Sequence, residues 1–292
     1  MQIVTGFAED NNCLAGITKP DPIPWLKERL EHTETPFTSK SLNRRLLPDV
    51  HLPEVKSVIV IGVPNTGACG EVSPLLATPG ELCTGLISCM ALSHDYHQTV
   101  RGLLSELIRR IQPLKYRIAV DGGGLVEREW AVKAGLGFWG KNCCVISPFK
   151  GSFFNIGLLL TDFEISDTPA SISHSCGTCT KCIDVCPGKA ITPHRLDYTK
   201  CVSYITQKDG SLSSDDELIM GRHVYGCDIC QRVCPYNNGI MPEFPDVSLQ
   251  SIINMTEDEF NRTCASTVMG WKGLGILKRN AQSVFKTVYN RG

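Results

Sequence analysis

Eight of the fifteen cysteines in this 292-residue chain stand at spacings that bind metal, and the chemistry they imply is electron transfer. Cys176-x2-Cys179-x2-Cys182-x3-Cys186-Pro187 is the bacterial ferredoxin run. In that run three thiolates hold three irons of a cubane, and the fourth cysteine, followed by Pro, ligates a second cluster. Cys227-x2-Cys230-x3-Cys234-Pro235 repeats the motif one cysteine short, and Cys201 lies between the two runs to supply it. The crossed arithmetic assigns Cys176, Cys179, Cys182 and Cys234 to one [4Fe-4S] cluster and Cys186, Cys201, Cys227 and Cys230 to the other. Structural zinc sites also use four cysteines, but they pair two CxxC units and need no crossed cysteine before Pro. The remaining seven (Cys13, Cys69, Cys83, Cys89, Cys143, Cys144 and Cys264) show no ligand spacing. At least six of these are expected to be small buried hydrophobes.

About 165 residues with their own apolar pattern precede the cysteines, which implies a second redox centre or a substrate site. The residue there that invites chemistry is Asp121, at the end of a strand-like run and before the glycines at 122–124. An Asp in that place caps the turn or presents its carboxyl to a ligand, and glycines let backbone amides approach a phosphate. Asp95-Tyr96-His97 opens a helical stretch, where Asp95 can serve as N-cap and His97 faces a ligand or solvent.

The elements that position these groups follow from periodicity. Residues 56–64 (KSVIVIGVP) are a β-branched run closed by Pro and read as a buried strand. From 97 to 111 a stripe of Val100, Leu103, Leu104, Leu107, Ile108 and Ile111 gives an amphipathic helix. Strands are expected at 116–120, 143–148 and 153–161, and a helix at 125–134 with Gly135 as its C-terminal stop. The fold class is α/β (α+β). Residues 209–217 (DGSLSSDDE) read as a polar surface loop, and the stretch from 238 opens as a Pro-rich linker. Thr256 with Glu259 forms a capping box for a short helix, and 277–289 makes the last one. The expected domains are 1–166, 167–240 and a helical extension, 241–292.

A net charge of −1 gives no global field for nucleic acid or an anionic membrane, so any such contact must be local. The stretch 271–292 holds Lys272, Lys278, Arg279, Lys286 and Arg291 with no acid, which suits either an RNA backbone or a solvated helix face. No secretory signal and no apolar run of membrane-spanning length occur, and the cysteines fit a reduced compartment, so the expected location is cytoplasmic.

Asp95-Tyr96-His97, AVDGGGLVERE at 119–129, GLGFWGKN at 135–142, GSFF and LLLTD within 151–162, and YGCDICQ at 225–231 together resemble the epoxyqueuosine reductase family, collinearly from about 45 to 280. The resemblance implies a nitroreductase-like cobalamin-binding domain followed by a two-cluster ferredoxin-like domain. Its implied cofactors are cobalamin and two [4Fe-4S] clusters. Its implied reaction removes the epoxide oxygen of epoxyqueuosine in tRNA, with an external low-potential electron donor and no membrane partner. It implies Asp121 as the general acid and as a cobalamin contact, with Arg45, Ser88, Ser203 and Gln231 as further cobalamin contacts. Asp-x-His-x-x-Gly is absent, since the glycine after His97 is Gly102, so no histidine is expected on the cobalt.

Members of that family are expected to continue past Gly292 into helical repeats that help hold the tRNA. Gly124 stands in place of a Pro, Cys89-Met90 in place of a polar–aromatic pair, and Arg222-His223 in place of Asn-Arg. Two other functions compete: a reductive dehalogenase-like enzyme acting on a small molecule, and an iron–sulfur electron carrier without a substrate of its own. Binding of a tRNA with a wobble guanine separates the first reading from both.

Overall fold

The computed structural model describes residues 2–30, 41–65, 73–121, 124–166 and 172–289. Cys69, Gly122, Gly123 and Arg291, each named in the sequence reading, lie outside them. The chain forms two compact units, Met1–Pro64 with His97–Gly140 and Cys144–Gly177, and Asn65–Tyr96 with Lys141–Cys143 and Thr178–Gly292.

The first unit is built on a four-stranded sheet in the order Leu14–Thr18, Ser57–Pro64, Phe154–Thr161, Tyr116–Ala119. Every pairing in it is antiparallel, so the α+β form of the expected class applies. The strand expected at 56–64 sits second in this order and is buried on both faces: Val58, Ile59, Val60 and Ile61 are fully enclosed. A continuous apolar run is what such a position requires. Val58 and Val60 meet Leu158, Leu160 and Trp130 of the short helix Glu127–Lys133.

The expected amphipathic helix spans Tyr96–Ile111 and buries Val100, Leu104 and Leu107 on the sheet. Its approach depends on Gly157, where an added Cβ would lie 2.4 Å from Val100 Cγ1. Gly135, at φ +78°, follows the C-terminus of Glu127–Lys133 as expected. The strand expected at 143–148 shrinks to Val145–Ile146, because Cys143 takes a left-handed backbone at φ +64°.

The second unit holds a three-stranded mixed sheet, with Thr84–Ile87 between His223–Tyr225 (parallel) and Asp246–Ser248 (antiparallel). Against it pack the helices Leu249–Asn254 and Gly273–Val284. Asn280, fully buried, donates to the Thr206 and Val224 carbonyls at 2.7 Å each and so ties helix, loop and strand together. The capping box of Thr256 and Glu259 is present.

Three expectations need correction. The polar stretch 209–217 is only partly loop. Ser213 and Asp216 form a second capping box and start the helix Ser214–Met220, with Lys208 paired to the Asp216 carboxylate. The Pro-rich stretch supplies the strand Asp246–Ser248. Of the seven spare cysteines, Cys13, Cys89 and Cys264 are buried, but Cys83, Cys143 and Cys144 are only half-buried.

Candidate active site and cluster loops

Four of the expected cluster ligands lie near one another in the second unit. Cys186 is buried in a small apolar cluster with Ala190 and Ile191, against which Cys201 and Cys230 pack. Cys227 is near enough to feel the charges of Cys201 and Cys186, while burial pushes its thiol up to about 12. These four are the set that the crossed motif arithmetic assigns to one cluster. Their sulfurs also receive amides: Ala190 N–H donates to Cys186 Sγ at 3.3 Å, and the Ile229 amide donates to Cys227. Hydrogen bonds to the sulfurs are one of the levers that set a cluster's potential.

The local chain explains the placement. Cys201 is the N-cap of Val202–Ile205, Cys230 lies in Ile229–Arg232, and Cys234 precedes the 3-10 turn Pro235–Asn237. Cys182 lies in Lys181–Asp184, after Cys179. Cys176 falls in the chain segment counted with the first unit. None of the eight is in a disulfide.

The loops are fastened by residues that sequence reasoning gave no role. Lys141 donates through Nζ to the Cys179 carbonyl at 2.9 Å, and Asn142 through Nδ2 to the Cys230 carbonyl at 3.5 Å. The GKN end of one motif is therefore a strut for two cluster loops. Only its polarity inside an otherwise apolar stretch hints at this.

Asp228, between Cys227 and Cys230, is buried and accepts from Ser88 Oγ at 2.8 Å and the Cys89 amide at 2.7 Å. The Cys89 thiol donates to it as well. Burial raises the Asp228 carboxyl above the ordinary range, against the pull of these donors. Ser88, an expected cobalamin contact, is thus locked to a cluster loop. Close by, Gly226 at φ +69° has room for no side chain, since a Cβ would lie 2.5 Å from Ser88 Cβ. Ser203 is half-buried on Val202–Ile205, and its carbonyl accepts from Thr206 Oγ1 and Gln207 Nε2. Gln231 is half-buried on Ile229–Arg232.

In the first unit Asp121 follows the strand Tyr116–Ala119 with φ +35°, a left-handed backbone that non-glycine residues seldom hold. Its side chain is 58% exposed, and His97 Nε2 stands 3.8 Å from its carboxylate. His97 lies one residue into Tyr96–Ile111, so the helix start aims it at the strand end. Arg101, one turn on, donates to the Val120 carbonyl at 3.4 Å. Arg45 is buried in the short helix Leu42–Leu46.

Behind the turn, Trp25 and Trp139 both donate to Glu129 Oε2, at 3.0 and 2.9 Å. The ERE and GFW parts of two motifs therefore meet in one buried carboxylate. Glu127, two residues earlier, is held up at about 7 by burial, and the charge of Asp121 adds to the effect.

The basic C-terminal stretch is partly committed to the fold. Lys272 pairs with Asp209 at 2.9 Å, and Arg279 donates to the Lys208 and Gly210 carbonyls. Among the described residues no helix is long and apolar enough to cross a membrane.

Comparison with known proteins agrees with this geometry. Residues 175–237 match the 4Fe-4S double cluster binding domain, and residues 45–122 match the family described as Epoxyqueuosine reductase QueG, DUF1730. The epoxyqueuosine reductase of Lactococcus garvieae is 34% identical over 287 residues, covering 91% of this chain and 80% of that protein. The solved epoxyqueuosine reductase of Streptococcus thermophilus superposes with a TM-score of 0.89 at 29% identity, over 99% of this chain and 81% of that one. A solved epoxyqueuosine reductase carrying a tRNA-Tyr epoxyqueuosine-modified stem loop superposes at 0.87 and 26% identity, over 97% of this chain and 80% of that one. Likeness of this extent, carried through both the Asp121 turn and the paired cysteine runs, makes the chain a member of the epoxyqueuosine reductase family.

Proposed function

We propose that this protein reduces epoxyqueuosine in tRNA to queuosine, drawing electrons from an external low-potential donor. The observation that carries the reading is likeness to epoxyqueuosine reductases over nine-tenths of the chain, with both cysteine runs and Cys201 present. The reaction breaks both C–O bonds of the epoxide and forms a C=C bond. It consumes two electrons and two protons and releases the oxygen as water.

The donor sets suit the two kinds of group the reaction needs. Cys186, Cys201 and Cys230 in one apolar cluster, with Cys227 near enough to feel Cys186 and Cys201 and with amides on the sulfurs of Cys186 and Cys227, suit an iron–sulfur cluster. The guanidinium of Arg45 in the first unit and, separately, the hydroxyls and carboxamide of Ser88, Ser203 and Gln231 in the second are group types that suit the phosphate and amide periphery of a corrin. The clusters, when bound, pass single electrons at low potential, and cobalamin, when bound, supplies a strongly nucleophilic cobalt in its most reduced state.

The chain's own residues do the rest. Asp121 presents its carboxyl to the leaving oxygen and gives it a proton, and His97 holds that carboxyl in place. Arg101 fixes the strand end from which Asp121 projects. Lys141, Asn142 and Asp228 keep the cluster loops from shifting as electrons pass.

The test is nucleoside analysis of tRNA from cells lacking this protein. Epoxyqueuosine should accumulate in place of queuosine, and the wild-type gene should restore the product. Normal queuosine in the deletion strain would overturn the reading.

A further inference from the structure

Close after Asp121 in the chain stands a second carboxyl for which the reaction above has no use. Glu127 opens the helix Glu127–Lys133, six residues past Asp121. Its Oε1 is closed to solvent and has no hydrogen-bond partner among the described residues. An ionised carboxylate buried in that way would lack the donors that stabilise it, so the neutral acid is the form the site favours.

The surroundings are consistent. Burial is the main cause that lifts the Glu127 carboxyl to about 7, and the charge of Asp121 lifts it further. Arg128 on the same helix and the Glu127 backbone amide oppose the rise. From the helix Tyr96–Ile111, His97 reaches Asp121 at 3.8 Å. Across the turn, Arg44 and His51 pack on Gly124, where an added Cβ would lie 3.4 Å from Arg44 Cβ and 3.0 Å from His51 Cε1. Two carboxyls and a histidine thus share one strand end, one exposed to the reacting side and one held dry.

The stoichiometry supplies the reason. Asp121 can give one proton, but losing the epoxide oxygen as water takes two. Resting on the reading of Asp121 as the acid, we propose that Glu127 is a positioning residue that stores the second proton and returns it to Asp121 within each turnover. Asp121 protonates the oxygen as the first C–O bond breaks and is left as a carboxylate. The Glu127 proton passes to that carboxylate, which delivers it as the second C–O bond breaks and water leaves. The two electrons come from the donor that drives the reaction, and Asp121 and Glu127 each regain one proton from solvent before the next cycle.

Carbon-13 NMR of the full-length, cluster-loaded protein labelled at glutamate side-chain carboxyls reads the store directly, with Glu127→Gln identifying the signal. In wild type the Glu127 signal should titrate near 7, and in Asp121→Asn it should move toward the ordinary glutamate range. An unmoved titration in Asp121→Asn would separate the two carboxyls and overturn the proposal.

Kinetics gives the second arm. At pH 6 Glu127→Gln should lose roughly 10²-fold in kcat with KM little changed, the low end for a positioned proton donor. Its rate should also stop falling between pH 6 and 8, where wild type loses the stored proton. Wild-type kcat and an unchanged pH profile in Glu127→Gln would sink the store while leaving Asp121 as the acid. Normal turnover by Asp121→Asn would instead remove the reading on which the store rests.

Discussion

Two aspartates of this molecule, one in each unit, are held in opposite ways. Asp228, in the cluster loop, is buried and receives three donors from Ser88 and Cys89. Asp121, at a strand end in the other unit, is 58% exposed, has a left-handed backbone and faces one histidine at 3.8 Å. The contrast fits the roles proposed for the two regions. Electron transfer is served by ligand loops that do not rearrange, so a buried carboxylate with every donor satisfied works there as a clamp. Proton transfer to a substrate needs a carboxyl that reaches a reacting atom and is refilled afterwards, and a fully satisfied buried carboxylate can do neither.

The largest test of this contrast is at the exposed member. Asp121→Asn preserves size and tolerance of the left-handed backbone but removes the acid, so turnover should fall by roughly 10²–10⁴-fold. Iron and sulfide content should stay at wild-type levels. A turn-capping Asp would be replaced by Asn almost without loss, so near-normal turnover would reject the acid role.

At the clamp the effect should appear in stability. Asp228→Ala strands the Ser88 hydroxyl and the Cys89 amide in a buried site, at about 1–3 kcal/mol for each unsatisfied group. A loss of about 2–5 kcal/mol is expected in denaturant unfolding of the reconstituted protein. Asp121→Ala should change stability far less, because its side chain stands in water. Equal losses at the two positions would erase the distinction.

The contrast was only half legible in the sequence. The cysteine spacings, the strand at Ser57–Pro64 and the helix at Tyr96–Ile111 could be read because each is a local pattern with a fixed period. Asp121 stood out by its place before glycine. Asp228 did not, because its partners Ser88 and Cys89 lie about 140 residues away and no local rule links them. The same distance explains why residues 65–96 group with the cysteine-rich part: Thr84–Ile87 pairs with His223–Tyr225 and Asp246–Ser248. Glu127 and Glu129 read as acids in the first turn of a helix, where solvent is the default. Tertiary packing buries Glu129 beneath two indoles and shuts one Glu127 oxygen from water. The helix Ser214–Met220 was missed for another reason. Its capping signal was present in Ser213 and Asp216, but the surrounding polarity outweighed it.

Glu127 extends the comparison to pH. Its carboxyl is raised from 4.5 to about 7 in the folded chain, mainly by burial. The folded state therefore binds more protons than the unfolded state between those values. The stability this group contributes is full below 4.5 and is lost as pH rises through 7. The whole swing is at most about 3 kcal/mol. The difference in unfolding free energy between wild type and Glu127→Gln, followed from pH 4 to 8, should trace that loss. A pH-independent difference would mean that Glu127 titrates like a solvated acid.

The smallest expected effect concerns the backbone of Asp121. At φ +35° any residue with a Cβ is strained, and glycine is not. In an ordinary strand the glycine variant is the less stable of a glycine–alanine pair, because glycine gives the unfolded chain more freedom. At this position strain relief opposes that entropy, so the order should reverse. Asp121→Gly should be more stable than Asp121→Ala by about 1 kcal/mol, although both remove the acid and both should be inactive. The same pair made at Ala119, inside the strand Tyr116–Ala119, serves as the control. There alanine is the wild-type residue and should win. If alanine is also the more stable residue at 121, the left-handed turn is not a site of stored strain. The carboxyl would then be aimed by side-chain contacts such as that of the helix-borne His97, rather than by a backbone held out of its relaxed conformation.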